Sequence, residues 1–167
     1  STAQGYLLEL AEVLEFAPSN ASYAWSNGQV IGSPGEAGRI LNVNLSLEQM
    51  LQDAAFVAQE GWFELLVTPL LPDVVDPDLY VDDVQMLLDN SLTLIGYDPF
   101  SNQRFTWPID TATYAEWLEA GPRSLTLREE MFIPYIDALN STLNPNGGSE
   151  RYLSPTETLD TMRMAIQ

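Results

Sequence analysis

The chain has 167 residues, of which 46% are hydrophobic, enough for one ordinary domain or two small ones. Its 24 acidic residues outnumber 6 basic ones, all arginines, and the formal net charge is −18. A field of that sign repels phosphate backbones and anionic lipid, which argues against nucleic-acid and membrane-surface partners.

Three residue types with versatile chemistry are missing, namely cysteine, histidine and lysine. Their absence excludes zinc sites of the usual Cys/His type, Ser-His-Asp and Cys-His nucleophile systems, and lysine Schiff bases. The chain also has no apolar run long enough to span a bilayer and no signal-like start. It opens almost inside a predicted helix and closes inside another, so we expect a fragment of a longer protein.

The first elements in the chain are a helix and a hairpin. Apolar residues at helical spacing predict an amphipathic helix over residues 3–16. Asn27-Gly28 then lies between two strand-like runs and predicts a type I′ turn, because both central positions of that turn need a positive φ. The two-residue loop fixes the register. It pairs Trp25 with Val30 and Tyr23 with Gly32, and it puts Tyr23, Trp25 and Val30 on one face.

Two more strands and a helix follow the hairpin. Residues 39–44 alternate and predict a third strand. Ser46, with Gln49 three residues later, has the spacing of a capping box and predicts the start of a helix over 46–58. The apolar run 62–68 predicts a strand.

The segment 69–78 has three prolines and three aspartates and predicts a boundary between sub-domains. We expect one unit over residues 1–74 and a second over 75–167. In the second unit, periodicity and capping residues predict helices over 78–89, from Asp110, over 129–143 and from Ser154, and strands over 91–97, 104–107 and 123–127. A loop is expected over 144–149. The predicted class is therefore α+β, with small antiparallel sheets and hairpins packed against amphipathic helices.

Two segments of the chain look like copies of each other. Residues 45–51 and 153–159 share a leucine, a serine at a predicted N-cap, a Gln or Glu three residues later and another leucine. Each follows an amphipathic helix that ends near a proline. We interpret the match as an internal duplication in which the second copy lacks the hairpin, so the two sub-units are expected to be related.

The order of these features resembles a known family. The positions that carry the resemblance are Pro18, Ala21, Tyr23, Asn27, Gly28, Gly35, Gly38, Arg39 and the helix over 47–58, followed in the second unit by 92–94, 104–110 and 116–118. This pattern resembles the peptidoglycan-binding domain family associated with L,D-transpeptidases and VanW-like proteins. The resemblance covers most of the chain as parts of two consecutive units, and its motifs are mainly turn glycines and apolar spacing.

The resemblance implies a non-catalytic, extracellular or cell-envelope module of a larger exported bacterial protein. Its ligand would be peptidoglycan glycan or stem peptide, its other partners would be domains of the same polypeptide, and no cofactor or metal is expected. A protein–protein interaction domain or a purely structural extracellular domain without glycan affinity is the alternative. A wall hydrolase based on paired carboxylates is a third possibility, but no motif selects a pair among 24 acids.

The aromatic candidates for ligand contact each have a packing alternative. Tyr23 and Trp25, beside Asn27 in the hairpin, either stack on sugar rings or pack against the helix over 46–58. Tyr97 and Phe100 flank a loop of six residues and are expected to be exposed. Two further tryptophans, Trp107 and Trp117, are assigned to the core.

The charged candidates are ambiguous in the same way. Arg39 and Arg104 either bind a stem-peptide carboxylate, which suits the guanidinium fork, or form salt bridges with nearby acids. The aspartates between residues 73 and 83 lack the spacing of a calcium loop, and most are explained by the preference for acids at a helix N-terminus.

Overall fold

The computed structural model describes residues 2–143 and 151–166, and these form seven α-helices and eight β-strands. The helices are α1 (Thr2–Leu14), α2 (Val43–Gln52), α3 (Ala54–Glu60), α4 (Val81–Leu88), α5 (Thr111–Trp117), α6 (Glu129–Leu143) and α7 (Pro155–Ala165). The strands are β1 (Ser22–Ser26), β2 (Gln29–Ser33), β3 (Gly38–Leu41), β4 (Val67–Leu70), β5 (Leu92–Asp98), β6 (Gln103–Ile109), β7 (Leu118–Ala120) and β8 (Leu125–Leu127). A 3-10 helix over Pro77–Tyr80 leads into α4.

The strands form three small antiparallel sheets, which confirms the predicted α+β class. The largest has the order β2-β1-β7-β8, and β3-β4 and β5-β6 are two-stranded. The loop predicted over 144–149 lies outside the described residues.

The chain divides into two compact units, and the hairpin belongs to the second of them. The first unit comprises the described residues of Ser1–Ser19 and Glu36–Pro72, and the second comprises those of Asn20–Gly35 and Asp73–Gln167. The boundary in the chain at Pro72 coincides with the proline-rich segment. The predicted division, by contrast, placed residues 20–35 in the first unit, because a split made along the sequence cannot see that a hairpin returns to a later segment.

The first unit buries Leu7 and Ala11 of α1 together with Leu41 of β3. Strand β3 pairs with β4 in the register Gly38↔Leu70 to Leu41↔Val67. The predicted strand over 62–68 is therefore mostly wrong, because only its last two residues pair. Trp62 is exposed instead, and its ring meets the ring of Phe56 edge to face at 5.3 Å.

Helix α2 starts earlier than predicted, and its N-cap is Asn42. The side-chain oxygen of Asn42 accepts a hydrogen bond from the Leu45 amide at 3.2 Å. Ser46, the predicted N-cap, is fully buried inside the helix, and its Oγ accepts a hydrogen bond from the Leu66 amide at 3.0 Å. The capping-box pattern failed here because the hydroxyl serves a distant backbone group rather than its own helix start.

The duplication inferred from these two segments is not mirrored in their local structure. Ser154 does cap α7, accepting a hydrogen bond from the Glu157 amide at 3.3 Å, with Pro155 in the first helical position. Ser46 has no such role. The two serines that the segments have in common therefore form different hydrogen bonds: Ser154 caps its own helix, whereas Ser46 binds a distant backbone amide.

The second unit contains the larger core, built around Trp117. Its indole is 2% exposed and meets the rings of Phe132 and Tyr135 at 5.0 and 4.9 Å between centroids. Asp110 caps α5 as predicted, accepting from the Thr113 amide at 2.9 Å. Trp117 is the last residue of α5 and directly precedes strand β7. The sequence pattern did not predict this short strand.

The β1-β2 hairpin has the predicted register, with Trp25 opposite Val30 and Tyr23 opposite Gly32. Asn27 and Gly28 have φ values of 52° and 81°, as the turn requires. The aromatic face does not pack on the helix over 46–58, however. It joins the core of the second unit, where the Ala120 amide donates to the Ala21 carbonyl at 2.7 Å and aligns β1 with β7.

We predict that Ser46→Ala lowers the free energy of unfolding by about 1 to 3 kcal/mol, because it leaves the Leu66 amide without its acceptor. Urea unfolding followed by circular dichroism measures the change. Ser141→Ala is the matched control, since the Ser141 hydroxyl is exposed and bonds only to a carbonyl of its own helix, and we expect it to shift stability by less than about 0.5 kcal/mol. Equal stability of the two variants would contradict the tertiary role of Ser46.

Candidate functional site

A groove of about 160 Å³ lies at the tip of the β5-β6 hairpin in the second unit. Its lining is mainly aromatic, with one carboxylate and one guanidinium. The residues are Gly96, Tyr97, Asp98, Pro99, Phe100, Phe105, Trp107, Leu143, Arg151, Tyr152 and Leu153. The hairpin and the segment that enters α7 together form its walls.

The floor of the groove is a pair of rings on one face of the hairpin. Phe105 and Trp107 are two residues apart on β6, so they project from the same face. Their ring planes are nearly parallel, at 12°, with centroids 6.0 Å apart. Gly96 lies opposite Phe105, and a Cβ built at Gly96 would come within 2.9 Å of the Trp107 ring. Glycine at this position therefore allows the indole to lie against the strand.

Arg151 closes one side of the groove, where it contacts Asp98, Gln103 and Phe105. Its Nε lies 3.1 Å from Asp98 Oδ2, and its Nη2 donates to Gln103 Oε1 at 3.2 Å. The guanidinium carbon lies 5.2 Å from the centroid of the Phe105 ring, within cation–π range. The arginine thus joins the two ends of the hairpin loop to the segment before α7.

Asp98 organises the loop that follows β5. One carboxylate oxygen accepts from the Phe100 amide at 2.9 Å, and the other accepts from the Ser101 hydroxyl at 2.6 Å. The Ser101 hydroxyl, the loop amides and Arg151 together lower the pKa of Asp98 from 3.8 to about 2. The carboxylate is therefore ionised and fully engaged at neutral pH.

The segment that carries Arg151 is fastened to α6. Asn140 donates from its side-chain nitrogen to the Leu153 carbonyl at 2.9 Å and accepts from the Leu153 amide at 2.7 Å. This double hydrogen bond holds the backbone at Leu153, whose side chain also packs against the core. Because Arg151 is only two residues before Leu153, these hydrogen bonds also fix where the Arg151 backbone lies.

Exposed aromatic rings border the groove. Phe100 is 100% exposed at the loop tip, and Tyr152 is 68% exposed on the opposite wall. Tyr97 is also exposed, and its hydroxyl donates to Asn102 at 3.0 Å. The expectation that Tyr97 and Phe100 are exposed is thus confirmed.

The hairpin candidates are not part of this groove. Tyr23 is 3% exposed, its hydroxyl donates to the Pro77 carbonyl at 2.9 Å, and burial raises its pKa to about 12. Stacking of Tyr23 on a sugar is therefore ruled out in this structure. Trp25 is half-buried against the core, and Asn27 lies exposed at the turn.

The two arginine candidates lie elsewhere. Arg39, in the first unit, donates from Nε to the Leu14 carbonyl at 2.8 Å and lies 5.1 Å from the Phe16 ring centroid. Arg104 lies opposite Tyr97 on β6 and is exposed, outside the lining of the groove.

Several lining residues were missed by the sequence-based prediction. Phe105 and Trp107 carried a usable signal, because their alternation placed both on one face, but Trp107 was assigned to the core. Arg151 and Asp98 are 53 residues apart, so no local pattern joins them. No pattern in the sequence indicated that Tyr152 would line a groove.

Comparison with family models, with curated proteins and with solved structures found no significant match. Within residues 2–143 and 151–166, no cluster of three or more Asp or Glu is arranged to hold a metal ion. No helix in that part of the chain is long and apolar enough to cross a membrane.

We predict that Gly96→Ala displaces the Trp107 ring and costs about 1 to 3 kcal/mol of stability, because the added Cβ overlaps the indole. Near-ultraviolet circular dichroism and urea unfolding measure both effects. Gly5→Ala is the control, since a Cβ at Gly5 meets nothing within 4 Å. An unchanged near-ultraviolet spectrum for Gly96→Ala would contradict the packing described.

The low pKa of Asp98 predicts a pH dependence of stability. Its folded pKa of about 2 lies below the ordinary value of 3.8, so its contribution to stability is present above about pH 4 and is lost as the pH falls towards 2. Asp98→Asn is therefore expected to be less stable than wild type at pH 7, with the gap narrowing between pH 4 and 2. Asp73→Asn is the control, because Asp73 is exposed. A difference in stability between Asp98→Asn and wild type that stays constant down to pH 2 would contradict the prediction.

Proposed function

We propose that this chain is a non-catalytic, cell-envelope binding or spacer module of a larger exported bacterial protein, and that its ligand is peptidoglycan glycan or stem peptide. Two things support the proposal. One is the resemblance to the peptidoglycan-binding domain family, and the other is the groove at the tip of the β5-β6 hairpin. The observation that carries the proposal is the combination of aromatic rings and hydrogen-bonding groups in that groove.

The aromatic rings suit one face of a sugar. A sugar ring presents C–H groups on its faces and hydroxyls around its edge, so it needs an apolar platform bordered by polar groups. Phe100 and Tyr152 offer exposed rings, whereas the ion pair of Asp98 and Arg151 makes one side of the groove polar. Aromatic side chains bury much apolar area at fixed geometry, which favours this use.

The size of the groove also bears on the ligand. Its volume of about 160 Å³ is below the roughly 300 to 1,000 Å³ of sites that enclose a drug-sized molecule. It therefore suits a single ring or side chain of a polymer that continues across the surface. Peptidoglycan is a polymer of this kind.

The charges at the groove favour binding over hydrolysis. Asp98 is the one carboxylate among the described lining residues, whereas a glycosidase of the usual type needs two on either side of the scissile bond. Its low pKa also makes it a poor general acid near neutral pH. We therefore propose no enzymatic activity.

A protein-interaction or structural role is the second candidate, and exposed apolar side chains in the first unit favour it. Val13, Leu51 and Trp62 are 81%, 66% and 59% exposed. A protein partner would cover apolar side chains of this type, and other domains of the same polypeptide would supply one. For both candidate functions, the net charge of −18 argues against binding to nucleic acid and against insertion into a membrane.

Retention on purified peptidoglycan tests the lead proposal. We expect the wild-type chain to sediment with peptidoglycan stripped of anionic wall polymers, at both low and moderate salt. Phe100→Ala and Tyr152→Ala remove exposed rings and are each expected to weaken binding about three- to tenfold.

Tyr6→Ala is the matched control, because Tyr6 is 63% exposed but lies on α1. It should bind like wild type. Failure of the wild-type chain to be retained at either salt concentration would overturn the peptidoglycan proposal and leave the protein-interaction role. Equal loss in Tyr6→Ala would show that retention does not depend on the groove.

A further inference from the structure

A second groove in the same unit lies away from the aromatic one. It has a volume of about 290 Å³ and is formed by α4, the turn between β7 and β8, and the end of α7. Its lining residues are Tyr80, Asp83, Met86, Leu87, Arg123, Ser124, Leu125 and Ile166. It shares no residue with the lining of the aromatic groove.

Opposite charges line this groove from two different elements. Asp83 projects from the first turn of α4, and Arg123 projects from the turn between β7 and β8. Both side chains are exposed, and within the described part of the chain neither forms an ion pair, with the other or with a third residue. Each charge is therefore available to a ligand.

The turn that carries Arg123 is held in place. The Gly121 amide donates to the Ser124 carbonyl at 2.9 Å, which closes the turn. The Tyr80 hydroxyl donates to the Gly121 carbonyl at 3.2 Å and ties the turn to the start of α4. The backbone positions of Asp83 and Arg123 are thus coupled through Tyr80.

The floor of the groove is apolar. Leu125 is 4% exposed, and Leu87 and Ile166 pack against the core, so these side chains form a fixed surface. Met86 is 62% exposed and borders the groove from α4. Its flexible thioether can adapt to a bound apolar group.

We propose that this groove binds a small zwitterion with an apolar body, of the class of a hydrophobic dipeptide. Asp83 takes the ammonium group, Arg123 takes the carboxylate as a fork, and the apolar side chains of the ligand lie on Leu87, Leu125 and Ile166. A simple anion is disfavoured by the acidic field of the chain, and a simple cation leaves Arg123 unused. The inference is independent of the peptidoglycan proposal, because the residues and the ligand differ.

The volume is consistent with this class. At about 290 Å³ the groove lies just below the roughly 300 to 1,000 Å³ range of sites that enclose drug-sized molecules. A dipeptide is small enough to enter, and its termini are separated by up to about 7 Å when extended. Asp83 and Arg123 line the same groove without pairing with each other, as a ligand that carries one charge at each end requires.

The test uses leucyl-leucine as the probe, titrated to about 10 mM into the isotope-labelled full chain and followed by nuclear magnetic resonance. We expect amide shifts at Asp83, Leu87, Arg123 and Leu125. Blocking the amine by acetylation or the carboxylate by amidation is expected to weaken binding about tenfold, the loss typical of one charge-assisted hydrogen bond. Glycyl-glycine, which lacks the apolar body, is expected not to bind.

Matched variants assign each charge. Asp83→Asn is expected to bind leucyl-leucine and its acetylated form equally, and Arg123→Gln is expected to bind leucyl-leucine and its amide equally. Asp82→Asn and Arg104→Gln are the controls, because both residues are exposed and lie outside the groove lining, and they should keep the wild-type preferences. Spectra of the free variants check that the fold is intact.

Three results would overturn the inference. The first is the absence of shifts in this groove at the highest probe concentration. The second is equal binding of the free, acetylated and amidated probes, which would indicate apolar contact alone. The third is retention of both preferences in Asp83→Asn and Arg123→Gln, which would place the site elsewhere.

Discussion

Burial of the Trp117 indole is the interaction on which the second unit depends. The ring is enclosed by aromatic neighbours on its own helix and on α6, with Phe132 and Tyr135 both at about 5 Å. Loss of such a buried aromatic side chain typically costs about 3 to 5 kcal/mol, a large share of the stability of a domain. The contact fixes α6 against α5, and through β7 it also places the β1-β2 hairpin.

The aromatic groove is a consequence of that packing. Helix α6 carries Asn140, which holds the backbone of Leu153 with two hydrogen bonds. That segment in turn presents Arg151 to Asp98 and to the face of Phe105. The groove therefore rests on a continuous series of contacts that begins in the core, although its aromatic rim at Phe100 is fully exposed. Such an arrangement combines a rigid base with accessible rings, which limits the entropy lost on binding.

Local chemistry made part of the fold predictable. Asn27-Gly28 determined the hairpin register, and Asp110 and Ser154 capped the helices they were expected to cap. Each of these features depends on residues within a few positions of each other. The helix over 129–143 was likewise readable from its periodicity.

The misplaced features depend on contacts between distant residues. Ser46 has the local pattern of an N-cap, yet its hydroxyl binds the amide of Leu66, 20 residues away. The hairpin joins the second unit through Ala21 and Ala120, which a linear division could not reveal. For the aromatic groove, exposure of Tyr97 and Phe100 was predictable from their loop, whereas Arg151 was not, because its partner Asp98 lies 53 residues earlier.

We propose that peptidoglycan binds at the groove at the β5-β6 tip, and the most direct test is to map the contact. A soluble peptidoglycan fragment is titrated into the isotope-labelled chain, and amide and indole resonances are followed. We predict shifts confined to the lining of the groove, namely Gly96, Asp98, Phe100, Arg151, Tyr152 and the Trp107 indole. Shifts centred on other surfaces, or none at saturating fragment, would contradict the assignment of this groove.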